Sequence, residues 1–269
     1  MTADRRESDF IADLSWPAYK DRLAAGAIVL VPVGANEQHG YHLPLGTDTA
    51  EVRAACLEAA KHLDVLIAPI IPFGYASQTR SAAGNHWPGN ISLQSETLVG
   101  VVSDVLRSLL RHGATRIAVI DAHYENGWYL LDACEKVAGE IKATGSKARI
   151  VKMMCWDAIS KGTWDAVDEV TGKVDLSYAH AGVLETAAML HAAPAQVDMA
   201  KIVDHDFVTF PPYDIFPQDP TGLPCSGCLS SARGSTPDLG RRIIEDMGRG
   251  MARLLSTAFD RPAVNIDVK

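Results

Sequence analysis

The sequence lacks the features that would place a protein in a membrane, outside the cell or on nucleic acid. Its 269 residues contain no uninterrupted apolar stretch of about 18 residues, the length that a transmembrane helix needs. The segment MTADRRESDF at its start is charged and has no apolar core of a secretory signal. No run of lysine or arginine occurs and the formal net charge is −8, so we expect neither a nucleic acid nor a membrane as partner.

Cysteine is also scarce. The chain has five cysteines, an odd and sparse set that is typical of reduced thiols and predicts a cytoplasmic protein. Cys225 and Cys228 form a lone C-x-x-C, without the second pair that a zinc ribbon requires. Pro224 and Gly227 place the motif in a loop, which favours a structural role.

Apolar runs and helical patterns alternate along the chain. The predicted strands are Ala27–Val33, Val65–Ile71, Arg116–Ile120 and Ala148–Met154. The predicted helices are Thr49–His62, Glu96–Arg111, Trp128–Ala143, Ala181–His191 and Asp238–Phe259. Strands that alternate with helices indicate an α/β fold, a mostly parallel sheet with helices on both faces, and we expect residues 1–269 to form one domain.

Ligand-type side chains follow two of these strands. Glu37 and His39 come after the first strand, with Asp48 soon afterwards, and His123 and Glu125 come after the third. Parallel sheets bind ligands beyond the carboxyl ends of their strands, so we expect the two groups to share one site. In an extended segment, residues two apart point the same way, which would pair each histidine with a carboxylate. These nitrogen and oxygen donors suit zinc, manganese or iron, and a bridging Asp48 would indicate two ions.

Each of these residues also has an ordinary structural explanation. Asp48 alone is a reasonable helix N-cap, and Asp121 and Glu125 alone would pass as surface charges. A fourth segment, HAGVLET, opens a helix with His180, whose pKa suits general acid–base work, and Glu185 follows one turn later. The convergence of several donors on one sheet edge favours a metal site over independent surface roles.

Four runs of sequence resemble the signature segments of the creatininase family. In order, they are VPVGANEQHGYHLPLGTD, GNHWPGNISL, DAHYENG and HAGVLETAAML, and the similarity extends from about Leu14 to about Ala258. The HYEN run is closer to creatininase itself than to the deformylase and peptide-maturation branches. The resemblance implies a creatininase-like three-layer sandwich, a centre with two divalent ions (zinc, manganese or both, with iron as a further option), and a homohexamer.

The resemblance also implies a role for particular residues. The implied metal ligands are Glu37, His39, Asp48, His123 and Glu185, with Asp48 as the bridge, and Glu125 as an additional ligand of one ion. His180 and Glu125 are the implied catalytic residues. Ser81, Tyr124 and Trp156 correspond to residues that contact the substrate.

The segment before His180 departs from the family pattern. Creatininase has a tryptophan–aspartate pair that closes over creatinine and a glutamate directly before the histidine. Leu176, Ser177 and Ala179 stand at those three places here. Ser177 is therefore the candidate for substrate contact in this segment, and the changed lid predicts a change in which ring is held.

The predicted activity is metal-dependent hydrolysis of a cyclic amide, creatinine to creatine or a related lactam or imide. A formamide deformylase, or a hydrolase for another ring, is the alternative within the same architecture. A non-catalytic metal-binding protein is the alternative from another class, and a metal titration paired with a turnover assay separates the two. A Rossmann-type nucleotide binder is excluded because GANEQH follows the first strand where G-x-G-x-x-G would be required.

Overall fold

Four parallel strands form the central sheet of the computed structural model, which describes residues 9–78, 81, 84–172, 180–204, 210, 213 and 215–264. The strands are β1 (Ile28–Val33), β2 (Val65–Ile67), β3 (Arg116–Asp121) and β4 (Arg149–Met154). They lie in the order β2-β1-β3-β4, and every pairing is parallel. The predicted α/β fold with a parallel sheet is confirmed.

Helices separate and follow the strands. They are α1 (Trp16–Ala24), α2 (Thr47–Ala60), α3 (Ser95–Arg111), α4 (Gly127–Thr144), α5 (Lys161–Thr171), α6 (Val183–Ala192) and α7 (Pro237–Phe259). Short 3₁₀ turns span Ile11–Asp13, Tyr124–Asn126, Cys155–Ala158, Pro194–Gln196 and Met199–Lys201. Within the described part of the chain, no helix combines the length and the apolar content that crossing a bilayer requires.

The two faces of the sheet are buried in separate apolar cores. Ile28 and Leu30 of β1 pack in one core with α2, α6 and α7, whereas Val29 and Val31 pack in the other with α3 and α4. All six residues of β1 are buried. This arrangement explains the continuous apolar run in the sequence, because a strand covered on both faces shows no alternation of polar and apolar residues.

Strand β2 is shorter than predicted. It ends at Ile67 rather than at Ile71, and Pro69, which has no N–H to donate, lies in the segment that was expected to continue it. The chain nevertheless stays beside β1, because the Ile71 N–H donates to the carbonyl of Pro32 at 3.0 Å. An isolated parallel bridge pairs Ile71 with Val33 at the end of β1.

The carboxyl ends of β1 and β3 lie side by side at one edge of the sheet. Val33 of β1 is in register with Asp121 of β3. The segments that follow the two strands therefore start from neighbouring positions, and these are the segments that carry most of the predicted metal ligands. The sheet thus brings parts of the chain that are far apart in sequence to one place.

Candidate metal centre

Asp48 reaches the sheet edge because α2 begins directly against the segment that follows β1. Asp48 is the second residue of α2, and Gly46, not Asp48, is its N-cap. At Gly34, a Cβ would lie 2.8 Å from the backbone nitrogen of Thr49, so only glycine permits this close approach. A carboxylate in the first turn of a helix is also favoured by the helix dipole.

Asp48 lies between the two metal-ligand histidines of the predicted site. Its Oδ1 is 3.3 Å from Nε2 of His39, and its Oδ2 is 3.4 Å from Nδ1 of His123. Both histidines are buried, and Asp48 is 2% exposed. The two oxygens of one carboxylate thus face two different histidines, which is the arrangement that a bridging ligand requires.

One further carboxylate completes each side. Glu37 Oε1 is 3.3 Å from Nδ1 of His123, and Glu185 Oε2 is 3.8 Å from Nε2 of His39. The donor atoms of Glu37, Asp48 and His123 lie within 4.8 Å of one another, and so do those of His39, Asp48 and Glu185. We call these two sets the Glu37 triad and the His39 triad. They share Asp48.

Two atoms of the cluster lack the hydrogen bonds that buried polar atoms normally make. Within the described residues, Nε2 of His39 and Oδ2 of Asp48 have no hydrogen-bond partner. A buried donor or acceptor without a partner costs roughly 1–3 kcal/mol. A divalent cation would satisfy both atoms, and the mixed nitrogen and oxygen donors match zinc, manganese and iron. The residues present therefore fit a centre with two ions.

Protons balance the charge of this cluster when ions are absent. Burial works to lower the pKa of His39, but Asp48 and Glu185 outweigh it and raise that pKa to about 10. Burial likewise opposes protonation of His123, yet the neighbouring carboxylates, Glu37 first among them, raise its pKa well above the ordinary value. Burial raises the pKa of Glu185 to about 7, despite the opposing effect of His39.

Metal binding should therefore release protons. At pH 7.5 the metal-free His39 is charged, because its pKa is about 10, and the raised pKa of His123 also favours its charged form. A metal ligand must be neutral imidazole, so filling both sites should release at least the His39 proton from each chain, and metal affinity should rise with pH. Calorimetric titration in two buffers of different ionisation enthalpy measures the number of protons released; a heat that is independent of the buffer would contradict this prediction.

Glu125 contacts the opposite side of the His123 ring. Its Oε2 is 3.5 Å from Nε2 of His123, and the same ring nitrogen is 3.0 Å from the carbonyl oxygen of Tyr75. The Ser81 hydroxyl donates to Glu125, and the Gln78 N–H lies 3.4 Å from it. Among the described residues, Glu125 belongs to neither triad, so its role as an additional ligand stays a prediction.

One detail of the sequence interpretation was wrong. Glu125 lies in the 3₁₀ turn Tyr124–Asn126 and not in an extended segment, although it still meets His123. Asp121 is fully buried and is not a surface charge. Its Oδ1 accepts hydrogen bonds at 3.1 Å from the His123 N–H and from the Asn126 side chain, and so fixes the turn that follows β3.

His180 lies beside both triads. Its Nδ1 is 3.8 Å from Oε1 of Glu37, and its ring centroid is 4.5 Å from that of His39. Burial and the nearby His39 lower the pKa of His180, which favours a neutral ring. The donor atoms of Glu37, His39 and His180 also lie within 4.8 Å of one another. A neutral imidazole at this place can accept or donate a proton near bound ions.

Comparison with known proteins identifies the family. The profile described as "Creatininase: Creatinine amidohydrolase" matches residues 12–255. The chain is 36% identical to creatinine amidohydrolase from Pseudomonas putida over 255 residues, which cover 94% of this chain and 98% of the relative. The chain belongs to the creatininase family. Its relatives include the mycofactocin precursor peptide peptidase of Mycolicibacterium smegmatis, 29% identical over 84% of this chain and 83% of that protein.

Solved creatininase structures share this fold. A structure described as "Creatininase Mn" has a TM-score of 0.85 at 35% identity, and covers 94% of this chain and 99% of its own. A zinc–zinc form of a creatininase variant has a TM-score of 0.89 at 35% identity, with 94% of this chain and 98% of that chain covered. The creatininase relatives thus include both a manganese and a zinc form.

The substrate-contact residues that the creatininase resemblance implies lie in different surroundings. Ser81 contacts Glu125, next to His123. Tyr124 is 84% exposed, and Trp156 packs against the core on the α2, α6 and α7 side of the sheet. Ser177 lies outside the described residues. Their roles as substrate contacts stay predictions.

Sequence reasoning missed several residues that hold the centre together. The Ser77 hydroxyl donates to Glu37 and is 3.5 Å from Nε2 of His123. Gln38 contacts His180 through both its backbone and its side chain. Ser77 follows no recognisable pattern, but the position of Gln38 between two candidate ligands was a usable signal.

Proposed function

We propose that this creatininase-family amidohydrolase opens a compact cyclic amide, and that creatinine is the first substrate to test. The protein is a hydrolase that acts on C–N bonds. The observation that carries the proposal is the pair of donor triads that share Asp48, with His180 beside them. The 36% identity to a creatinine amidohydrolase over nearly the full length of both chains supports the choice of substrate.

The residues of the two triads would hold two divalent ions, zinc, manganese or both, and the manganese and zinc forms of solved relatives support that choice. The proposed ligands are Glu37, His39, Asp48, His123 and Glu185, with Glu125 as an additional one. Divalent ions in such a site lower the pKa of water and polarise an amide carbonyl.

His180 is the proposed proton carrier. Hydrolysis adds the oxygen of water to the carbonyl carbon and breaks the bond from that carbon to nitrogen, and the nitrogen must gain a proton as it leaves. Nδ1 of His180 faces Glu37 at the edge of the cluster, where it can take a proton from the attacking water and give it to the leaving nitrogen. Ser81 contacts Glu125, and Glu125 lies beside the His123 ring, so both are proposed to contact the substrate near the Glu37 triad.

Hydrolysis of a formamide or of a different ring is the second candidate. Leu176, Ser177 and Ala179 replace the family's tryptophan, aspartate and glutamate, and this loss of an aromatic group and two charges favours a changed substrate. A site that hydrogen-bonds its substrate discriminates strongly against analogues that lack the bonding group, so the change of side chains should show in the substrate profile.

The test is turnover by metal-reconstituted protein. Creatinine is supplied beside a panel of lactams, imides, hydantoins and formamides, and a chelated sample is the control. Rapid creatine formation, with kcat of about 1–10³ s⁻¹, is the expected result for a creatininase. Turnover of another ring alone would assign the second candidate, and absence of turnover across the panel in a fully metallated sample would contradict the proposal.

A homohexamer in the cytoplasm is the proposed state of the protein. The assembly rests on the family resemblance. The location rests on the cysteines, all five of which are unpaired. Light scattering coupled to gel filtration measures the assembly, and a monomer at micromolar concentration would exclude the hexamer.

A further inference from the structure

Gln38 occupies the position between two proposed ligands, Glu37 and His39, and its side chain contacts His180 and the backbone of Gly227 and Gly40. It is 7% exposed. Its Nε2 donates to the carbonyl oxygen of Gly227 at 2.8 Å, and its Oε1 accepts from the N–H of Gly40 at 2.9 Å. A side-chain amide held at both ends has little freedom to move, and it fixes the backbone to which it belongs.

The backbone of Gln38 in turn holds His180. The carbonyl oxygen of Gln38 lies 2.8 Å from Nε2 of His180. The side-chain Nε2 of Gln38 lies 3.0 Å from the same ring nitrogen. The other ring nitrogen, Nδ1, lies 3.8 Å from Oε1 of Glu37. The two contacts that Gln38 makes to Nε2 thus set which ring nitrogen faces the cluster.

The segment 227–229 contacts both Gln38 and His180. Its first residue, Gly227, accepts from the Gln38 side chain, and its last, Leu229, donates through its N–H to the carbonyl of His180 at 3.1 Å. Gly227 has a φ of +73°, and a Cβ there would overlap Oε1 of Gln38. The backbone conformation and the close contact both require glycine at this position.

We propose that Gln38 is a positioning residue for His180, fixed by the backbone of segment 227–229. Its function is to keep Nε2 of the ring on the Gln38 carbonyl and Nδ1 toward the two triads. This inference rests on the proposed role of His180 in proton transfer. Because ring orientation can be observed without any substrate, the two ideas fail separately.

The first test replaces the Gln38 amide by an apolar chain of similar length, Gln38→Met. Gln94→Met is the matched control, because Gln94 precedes α3 and makes no side-chain capping bond to it. We expect Gln38→Met to bind the same amount of metal and to show the His180 ring turned away from the residue 38 carbonyl in its crystal structure. We also expect kcat to fall by about 10- to 100-fold with KM nearly unchanged.

The second test is Gly227→Ala, which adds a methyl group where Gly227 contacts the Gln38 side chain. Gly222→Ala is the control, because Gly222 also has a positive φ, +92°, but nothing lies within 4 Å of its added Cβ. We expect Gly227→Ala to reproduce the kcat loss and the ring rotation of Gln38→Met, and Gly222→Ala to leave both unchanged.

Two outcomes would overturn the inference. One is an unrotated His180 ring in well-folded Gln38→Met, and the other is a loss in that variant that appears as reduced metal content or raised KM at constant kcat. If neither wild type nor variant turns over any substrate, the ring orientation still decides the role of Gln38, while the proposed function fails on its own test.

Discussion

Replacing His180 with alanine should lower kcat by about 10²- to 10⁴-fold, which is the usual contribution of a positioned acid–base group. The proposed ligands of both ions remain in this variant, so metal content measured by elemental analysis should not change. The combination matters, because the loss then belongs to proton transfer and not to an empty centre. Steady-state kinetics with the best substrate of the panel, run beside the metal analysis, measures both quantities.

His191→Ala is the matched control for this variant. His191 lies in α6, soon after His180 in the chain, but its side chain is exposed and it belongs to no donor set among the described residues. It should keep wild-type kcat. Wild-type turnover in His180→Ala would remove His180 from the mechanism, and a loss of metal in that variant would instead assign it as a ligand, as its place beside Glu37 and His39 also permits.

Asp48→Asn should empty both metal sites. Each triad contains one oxygen of this carboxylate, 3.3 Å from His39 on one side and 3.4 Å from His123 on the other. The substitution keeps the shape of the side chain but removes the negative charge that the two ions would share. Loss of a residue that only hydrogen-bonds to a metal ligand lowers metal affinity by about 10- to 100-fold. Asp48 is a proposed direct ligand of both ions, so we expect metal affinity to fall by at least that factor at both sites.

Variants that change a ligand of only one triad distinguish loss of one ion from loss of both. Glu37→Gln and Glu185→Gln each change only one side and should each reduce metal content from two ions per chain toward one. Asp132→Asn, on the surface of α4, should retain full occupancy. Elemental analysis after dialysis measures all four proteins. Two ions retained in Asp48→Asn, or one site emptied and the other unaffected, would contradict a shared carboxylate.

The core strands could be predicted because buried strands have a recognisable sequence pattern. β1 and β3 lie between two layers of helices, and an unbroken apolar run is the pattern that this position selects. α5 was missed because its sequence, KGTWDAVDEVT, is largely polar with few buried residues. α1 was missed although Ser15 and Pro17 at its start form a recognisable helix beginning.

The site was predictable in part. The positions of Glu37 and His123 after neighbouring strands follow from the topology of a parallel sheet. The pairing of Glu185 with His39 does not, because α6 packs there only in the folded chain. Its position one turn after His180 marked Glu185 as a possible ligand, and the family resemblance implied that role. Glu37 and His39 were expected to face one site together, and their donor atoms do lie within 4.8 Å of each other beside His180, although each also belongs to a different triad with Asp48.

The central claim is that two ions, held by triads that share Asp48, make this chain an amidohydrolase. A stoichiometric titration tests it most directly: metal-free protein receives zinc or manganese in steps, and turnover of the best panel substrate is measured at each step. We predict no turnover without metal and a plateau at two equivalents per chain. Full turnover in the metal-free protein, or a plateau at one equivalent, would contradict the account.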